Sequence, residues 1–594
     1  MIEKKNDNFI NSLICVALLV NIVIFGTFSV IFSYRGVPPP YYGIVLKVAR
    51  TQNPVTIDPV DAWDSVSNDV LDQVVETLIA YDLSDPDLPL VGRLAESWDF
   101  QIGERGKYNN LTFHLREEVY FHDGELFTGE DVIHTIERIN FFGNWTGSLD
   151  PTLHNIAFPH SLYKFSDGIP IFNDTLSRAL WDVTKTTNPN NVTIIMNRAY
   201  APVEGLLAYT ASSIVSHVST PKYDMLDLSE DLVVGTGPFK LERYIPNSEV
   251  RFARWERYWR TGAYWDTIVY IFYRDAVTAN NAMLALDIDY LGQGIASLKP
   301  DFGFDPDITV TGDGVNDYIN SSLYWYIAFN RPYINKTWRK AISYAFNYTY
   351  LVEEIEENTV MRANSLVPPG FPAHNKSVNG ANFDIPKARQ FMQKMGYGEG
   401  WEIGTMVGNR FTPGADEALW LSASFVPEVG NFSGESWNFR HRQGSHFMEL
   451  LIQRFTEDMD LIGIKLTPQV LTWDEFIEMG ELHPEQLHIY FVGWGPDYFE
   501  TFNMIDPLAN PASSDNYARI NDPRVNDLLA AAISENNTAQ RYNIYMRLQS
   551  IIIDREFYHM PLFYDKIYFV HATTLKGFPY NCMRSLYWYP TYRE

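Results

Sequence analysis

From Gly43 to the C-terminus, short apolar runs of strand length alternate with stretches of helical period, and this alternation is what most narrows the fold. GIVLKVAR, 43–50, alternates like a first strand, and SNDVLDQVVETLIAYDL, Ser67 to Leu83, places Val70, Leu71, Val74, Val75, Leu78 and Ile79 at helical spacing. LTFHLREEVYF, 111–121, reads as a strand. The HDG of 122–124 is a turn, and Thr128 caps a helix with Asp131 at the third position of a capping box. GTGPF, 235–239, leads into strand KLERYI, turn PNSE and strand VRFARW. LYWYIAF, 323–329, is a buried strand. Helices are expected over 337–355, 385–396, from Phe447 to Asp460, and over 522–554. IGIKLTP and LHIYFVGWGPDYFETF add strands, and PLFYDKIYFV, 561–570, is the last. The pattern predicts an α/β fold with mixed sheets. A chain of 594 residues exceeds one hydrophobic core, so two or more lobes are expected.

The net charge of −27 argues against a nucleic-acid partner, which needs a basic face. The two cysteines, Cys15 and Cys582, allow no disulfide framework and no cysteine zinc site. Phe9 to Phe32, FINSLICVALLVNIVIFGTFSVIF, carries no charge and is long enough to cross a bilayer as a helix. It has no clean Ala-x-Ala site, so an uncleaved anchor is favoured over a removed signal. RGVPPPY, 35–41, is a stiff spacer behind it. Asn-x-Ser/Thr recurs at Asn110, Asn144, Asn173, Asn191, Asn320, Asn335, Asn347, Asn375, Asn431 and Asn536, a density compatible with a glycosylated extracellular domain.

No constellation for catalysis emerges. The chain has no G-x-S-x-G elbow, no H-E-x-x-H helix and no Walker loop. Gly235 and Gly237 precede a strand, whereas a phosphate site wants a helix. His122–Asp123 is better explained as a turn. His441 and His446 lack a third ligand at a recognisable spacing. No cofactor and no metal are expected, and carboxylates alone carry no weight in so acidic a chain. Aromatic residues make up 15 %, which suits a core, a peptide pocket or a sugar site equally.

One carboxylate stands out. Residues 487–502 run as an apolar strand, turn on Gly493, Trp494, Gly495 and Pro496, and deliver Asp497. A carboxylate there is costly unless something meets it. Two readings remain: a structural role in a turn, cap or ion pair, or a ligand's positive charge.

In order along the chain, LVGRLAESWDF, LTFHLREEVYFHDGELFTGEDVIHTIERI, VVGTGPFKLERY, YIAFNRPYINKTWRKAISYAFN, DIPKARQFMQKMGY, LIGIKLTPQ and HIYFVGWGPDY resemble blocks of the extracellular solute-binding proteins of family 5, as does TIDPVDAWDSVSNDVLDQVVETLIAYD before them. These are the oligopeptide- and dipeptide-binding proteins that serve ABC importers. The resemblance implies a periplasmic-binding-protein-like fold (class II, cluster C) with three lobes. Lobe I would comprise 43–84, 229–322 and 556–594, lobe II 85–228 and lobe III 323–555. A cytoplasmic tail of 1–8, the membrane segment 9–33 and a spacer of 34–42 would precede them. Hinges near 320–325 and 553–558 would let lobes I and III close on a ligand. The implied partners are a peptide and the permease subunits with their ATPases, with the binding domain extracellular or periplasmic and the chain single-pass. No enzyme activity is implied.

By the same resemblance Asp497 stands where peptide-binding members meet the ligand's α-ammonium. Trp494, Gly495, Tyr498 and Tyr324 are placed near the cleft. A peptide carboxylate would call for a basic residue of lobe III, with Arg362, Arg410, Arg440 and Arg442 as candidates. LAESW, HDG and GTGPF read as fold determinants. The chain departs from the family at Asn347, where many relatives have Asp, in the long polar stretch 409–446, and in its anchor. Oligosaccharide binding by the same fold, an extracellular hydrolase and an anchored sensor are the alternative readings.

Overall fold

The strand Val45–Arg50 sits fourth in a seven-stranded sheet. Its order is Phe239–Ile245, Glu249–Arg254, Thr267–Phe272, Val45–Arg50, Tyr290–Leu291, Phe569–Ala572 and Ile308–Thr311. The computed structural model to which this belongs describes residues 43–594 except 63, 103–108, 146–164, 167–168, 171–180, 186–189, 197–199, 293–301, 303–304, 312–317, 428–436, 443–445, 484–485 and 514. The membrane segment expected at 9–33 lies outside the described residues. Among the described residues no helix is long and apolar enough to cross a membrane.

A second sheet has six strands, in the order Val360–Arg362, His559–Ile567, Ile319–Phe329, Ile489–Trp494, Trp437–Arg442 and Leu466–Leu471. Trp437–Arg442 runs parallel to both neighbours, while Ile319–Phe329 is antiparallel to both of its own, so the sheet is mixed. The four strands Ala95–Ile102, Asn109–Leu115, Asn191–Met196 and Trp181–Lys185 form an antiparallel third sheet. Much of the aromatic content is core: Trp265, Trp338, Trp420 and Trp588 are fully enclosed, and burying each such ring is worth a few kcal/mol.

Several elements differ from the sequence pattern for a physical reason. The helix expected over Ser67–Leu83 occupies only Ser65–Leu71, started by the Asp64 side chain, which accepts from the Val66 and Ser67 amides. Beyond Leu71 its carbonyls find tertiary partners. Gly237 donates to the Val74 carbonyl at 2.8 Å, Phe239 to Gln73 at 3.2 Å and Ile214 to Glu76 at 2.9 Å. Backbone groups satisfied in this way do not need a helix, and Ile79–Tyr81 is a strand. The helix expected over 337–355 breaks at Phe346, whose ψ is 135°. Asn347 then caps a new turn, accepting from the Tyr350 amide while donating its own to Asp458. The last strand, expected over 561–570, divides at Tyr568 into His559–Ile567 of the six-stranded sheet and Phe569–Ala572 of the seven-stranded one. The strands Ile308–Thr311 and Ile319–Phe329 thus belong to different sheets, and the chain returns from the six-stranded sheet to the seven-stranded one at Tyr568.

HDG and GTGPF meet one another. His122 donates its amide to the Gly235 carbonyl at 2.9 Å, and its Nε2 lies 3.0 Å from the Gly237 carbonyl. A Cβ on Gly235 would stand 2.0 Å from the Val74 carbonyl oxygen, so only glycine fits there. Burial lowers the His122 pKa to about 4, which keeps the ring neutral in this contact. Thr128 and Asp131 make the expected cap: Asp131 accepts the Thr128 amide at 2.7 Å.

Candidate functional site

The site begins with strand register. Tyr324 pairs with Trp494 and Trp325 with Gly493 in the antiparallel ladder between Ile319–Phe329 and Ile489–Trp494. The ladder stops at that first pair. The residues just before Tyr324 and just after Trp494 therefore emerge side by side at one edge of the sheet. Ser321, Ser322 and Leu323 come from one strand, and Gly495, Pro496, Asp497 and Tyr498 from the other. Together they line one wall of a cavity of about 420 Å³. The rest of the lining comes mainly from the helix Ser65–Leu71 and the segment after it, from Tyr209 to Ser213, and from 583–587 near the C-terminus. A cavity of this size suits a small ligand of a few residues.

Local hydrogen bonds fix the loop that carries Asp497. Asn503, in the helix Thr501–Ala509, accepts the Asp497 amide through its Oδ1 at 2.8 Å and the Trp494 indole through its backbone carbonyl at 3.0 Å. Glu500 caps that helix and accepts from the Tyr545 hydroxyl at 2.9 Å.

Asp497 itself is partly buried, and its carboxylate accepts one long bond, from Asn503 Nδ2 at 3.4 Å. Among the described residues no Lys or Arg lies within ion-pair distance of it. Burial raises its pKa to about 6, the Asn503 bond opposes the rise, and the charge of Asp515 adds to it. Such a group is poised to gain a cation.

The other expected site residues divide. Gly495 and Tyr498 line the cavity with Asp497. A Cβ on Gly495 would meet Leu323 Cδ1 at 3.3 Å. Tyr498 reaches the Tyr200 hydroxyl at 3.2 Å and sets its ring 6.5 Å from that of Tyr209. Trp494 and Tyr324 do not line the cavity: they form the last pair of the ladder, one residue short of Gly495 and Leu323, which do. Tyr324 is fully buried and stacks on Tyr326 at 4.7 Å. Of the arginines considered for a peptide carboxylate, Arg362 is spent on the Ala363, Pro561 and Ala381 carbonyls and stacks on Tyr348. Arg410 sits on an exposed two-stranded hairpin, and the side chains of Arg440 and Arg442 lie outside the described ones. The cations that do line the cavity are Arg93 and Arg584, both outside the expected segment. Arg93 donates to the Tyr587 hydroxyl at 3.0 Å and stands 3.7 Å from Glu76, and Arg584 donates to Asp565 at 3.1 Å.

Asp72, which belongs to no sequence motif, also lines the cavity. It sits one residue past the short helix, and the Thr210 hydroxyl donates to it at 2.6 Å. Burial raises its pKa to about 6 against the Thr210 bond and the charge of Arg93. Its signal, one acid among many on a helical pattern, could not be separated from a solvated face. No metal-binding group of His, Cys, Asp or Glu occurs among the described residues, and the side chains of His441 and His446 lie outside them.

Residues 89–516 match the model described as bacterial extracellular solute-binding proteins, family 5 Middle. The chain is 24 % identical over 479 residues to heme-binding protein A of Haemophilus influenzae, covering 77 % of this chain and 76 % of that protein. It is 23 % identical to the dipeptide-binding protein of Escherichia coli K12, covering 78 % of each. A glutathione-binding protein of the same organism is 24 % identical, with 89 % of this chain and 91 % of that protein covered. Among solved structures, an ABC-transporter-associated periplasmic binding protein from Helicobacter pylori, in complex with the peptide STSA, aligns with a TM-score of 0.69. Its identity is 20 %, with 93 % of this chain and 98 % of that one covered. A dipeptide-binding protein from Pseudoalteromonas sp. SM9913, in complex with Met-Leu, gives 0.69 at 19 % identity and covers 93 % and 100 %.

Proposed function

The chain belongs to the bacterial extracellular solute-binding proteins of family 5, and from that premise we propose that it captures peptides outside the cell and delivers them to the permease of an ABC importer. The observation that carries this reading is Asp497, a partly buried carboxylate on the cavity wall with one weak hydrogen bond and no ion pair. A peptide is held largely through its backbone, so its side chains vary while its terminus is fixed. An α-ammonium placed at Asp497 would form a charge-assisted bond and remove the cost of burying the carboxylate. Gly495 and Tyr498 would shape the wall around it. The chain acts by binding and performs no chemistry.

The lobes of the family would map onto the three sheets, with lobes I and III closing about the ligand through the two crossings between the seven- and six-stranded sheets. Residues 9–33 would hold the protein at the membrane with the binding domain outside, and some sequons would carry glycans. Asn375 is excluded from that set: it is buried, and its amide donates to the Met546 carbonyl and the Ser550 hydroxyl. Retention of the full chain in the membrane fraction after carbonate washing, and its release on deleting 1–42, would test the anchor.

The peptide reading is tested by thermal shift of the full-length protein with tri- to pentapeptides, the same peptides N-acetylated, and oligosaccharides. A ligand at 100 times its dissociation constant adds about 2.7 kcal/mol of stability. Free peptides are expected to raise the melting temperature and acetylated ones not to. Stabilisation by sugars alone would refute the peptide reading.

A further inference from the structure

Resting on the peptide reading, we propose that this cavity selects basic peptides: ligands with a second positive charge besides the α-ammonium, met by Asp72. The charged residues lining the cavity are Asp69, Asp72, Glu76, Asp497, Arg93 and Arg584. Four of these have protein partners. Asp69 is paired with Arg50, Glu76 faces Arg93, and Arg584 meets Asp565. Glu76 is further satisfied by the Tyr258 hydroxyl at 2.8 Å, the Trp259 indole at 2.9 Å and the Thr236 hydroxyl at 3.0 Å. Among the described residues that leaves two carboxylates, Asp497 and Asp72, with hydrogen bonds and no ion pair, Asp72 feeling the charge of Arg93 only from beyond ion-pair distance. A neutral peptide brings one ammonium and one carboxylate. It would neutralise one of these groups and add a new anion to an acidic cavity.

An acceptor without a donor points the same way. Tyr209 gives its hydroxyl proton to the Ala62 carbonyl at 2.9 Å, so its oxygen is left to accept from Asn68 Nδ2 at 3.3 Å. That fixes the orientation of the Asn68 amide. Asn68 lines the cavity, and its Oδ1 is buried with no hydrogen-bond partner. Asp72 is one helical turn further along the chain, and Tyr209 feels the charges of both Asp497 and Asp72. Around Tyr209 the lining thus brings two carboxylates together, with the unpartnered Asn68 amide oxygen buried behind them. An ammonium or guanidinium supplies the several N–H donors that such a set calls for. Ligands carrying extra carboxylates are disfavoured by the same arrangement.

The test compares affinities of the full-length protein for peptides of one backbone carrying lysine, acetyl-lysine or norleucine at residue 1, 2 or 3. At one of these positions lysine is expected to bind at least about tenfold tighter than both neutral analogues, as a charge-assisted contact in a semi-enclosed site implies. Asp72→Asn should abolish that ratio, and Asp72→Glu should keep it. Asp497→Asn should weaken lysine and norleucine peptides alike. Because the ratio is read first on the unaltered protein, a variant that fails to fold does not protect the proposal. Equal affinity for lysine and norleucine at all three positions overturns it. If Asp497→Asn still weakens both peptides in that case, the peptide reading stands. If no peptide binds at all, the peptide reading falls with it. A simple diamine that binds as tightly as the lysine peptide would also overturn the assignment to peptides.

Discussion

Asp58 and Asp497 are both carboxylates withdrawn from solvent, and the chain provides for them differently. Asp58 is completely buried and meets the Arg138 guanidinium with both oxygens, the Leu226 amide at 2.9 Å and the Val60 amide at 3.2 Å. Asp497 has one side-chain amide at 3.4 Å and no cation. The first carboxylate is complete without a ligand and ties the segment after the first strand to the helix Gly129–Trp145. The second lies on a cavity wall with its charge only partly compensated, and burial lifts its pKa to about 6. The difference teaches that buried acids in this chain are told apart by their partners, not by their burial.

The comparison can be broken most forcefully at Asp58. Asp58→Ala leaves Arg138 buried without its counter-ion and is expected to cost about 3–5 kcal/mol of stability in denaturant titration. A loss below about 1 kcal/mol would remove the structural half of the contrast. Next in size, Asp497→Asn is expected to weaken free-peptide binding by about 2–5 kcal/mol, roughly thirtyfold or more, in a calorimetric titration. An unchanged dissociation constant would return Asp497 to a structural role.

A pH series sharpens the same contrast. With a pKa of about 6, Asp497 is mostly ionised at pH 7 and mostly protonated at pH 5. Peptide affinity should therefore fall about tenfold between these values for each carboxylate that must ionise. A flat profile would mean that no such group contributes. The smallest effect concerns the free protein. The folded-state pKa of Asp497 lies above its ordinary value of 3.8, so the folded state binds the proton more tightly than the unfolded one. Its contribution to stability is present below pH 4 and is lost as pH rises through about 6. The full shift would be worth about 3 kcal/mol, and screening at this partly exposed group reduces it, so Asp497→Asn should stabilise the ligand-free protein by about 1 kcal/mol at pH 8 and by nothing at pH 4, read as the difference in unfolding free energy.

Much of the fold was legible because its signals are local. The strands around Tyr324 and Trp494, the cap at Thr128 and the turn at HDG need only period and residue type. Leu71 to Leu83 was not legible as drawn, because the carbonyls that the helical pattern assumed are taken by Gly237, Phe239 and Ile214, all distant in sequence. The site divides in the same way. The strand and its turn showed that Asp497 is delivered from a core strand, while its ligand role and those of Gly495 and Tyr498 were expected only from the family resemblance. Tyr324 and Trp494 fell outside the cavity by a single step of register, which period alone does not fix. Asp72, Asn68 and Arg93 reach the cavity from other parts of the chain and carry no motif of their own.

The most direct measurement is calorimetric titration of a free-amine peptide at pH 6 in buffers of different ionisation enthalpy, for the unaltered protein and for Asp497→Asn. The account predicts that binding releases protons, about half a proton from Asp497 as the ammonium drives it to ionise, and that the variant loses this share. Equal proton release from both proteins would contradict the claim that Asp497 receives the ligand's positive charge.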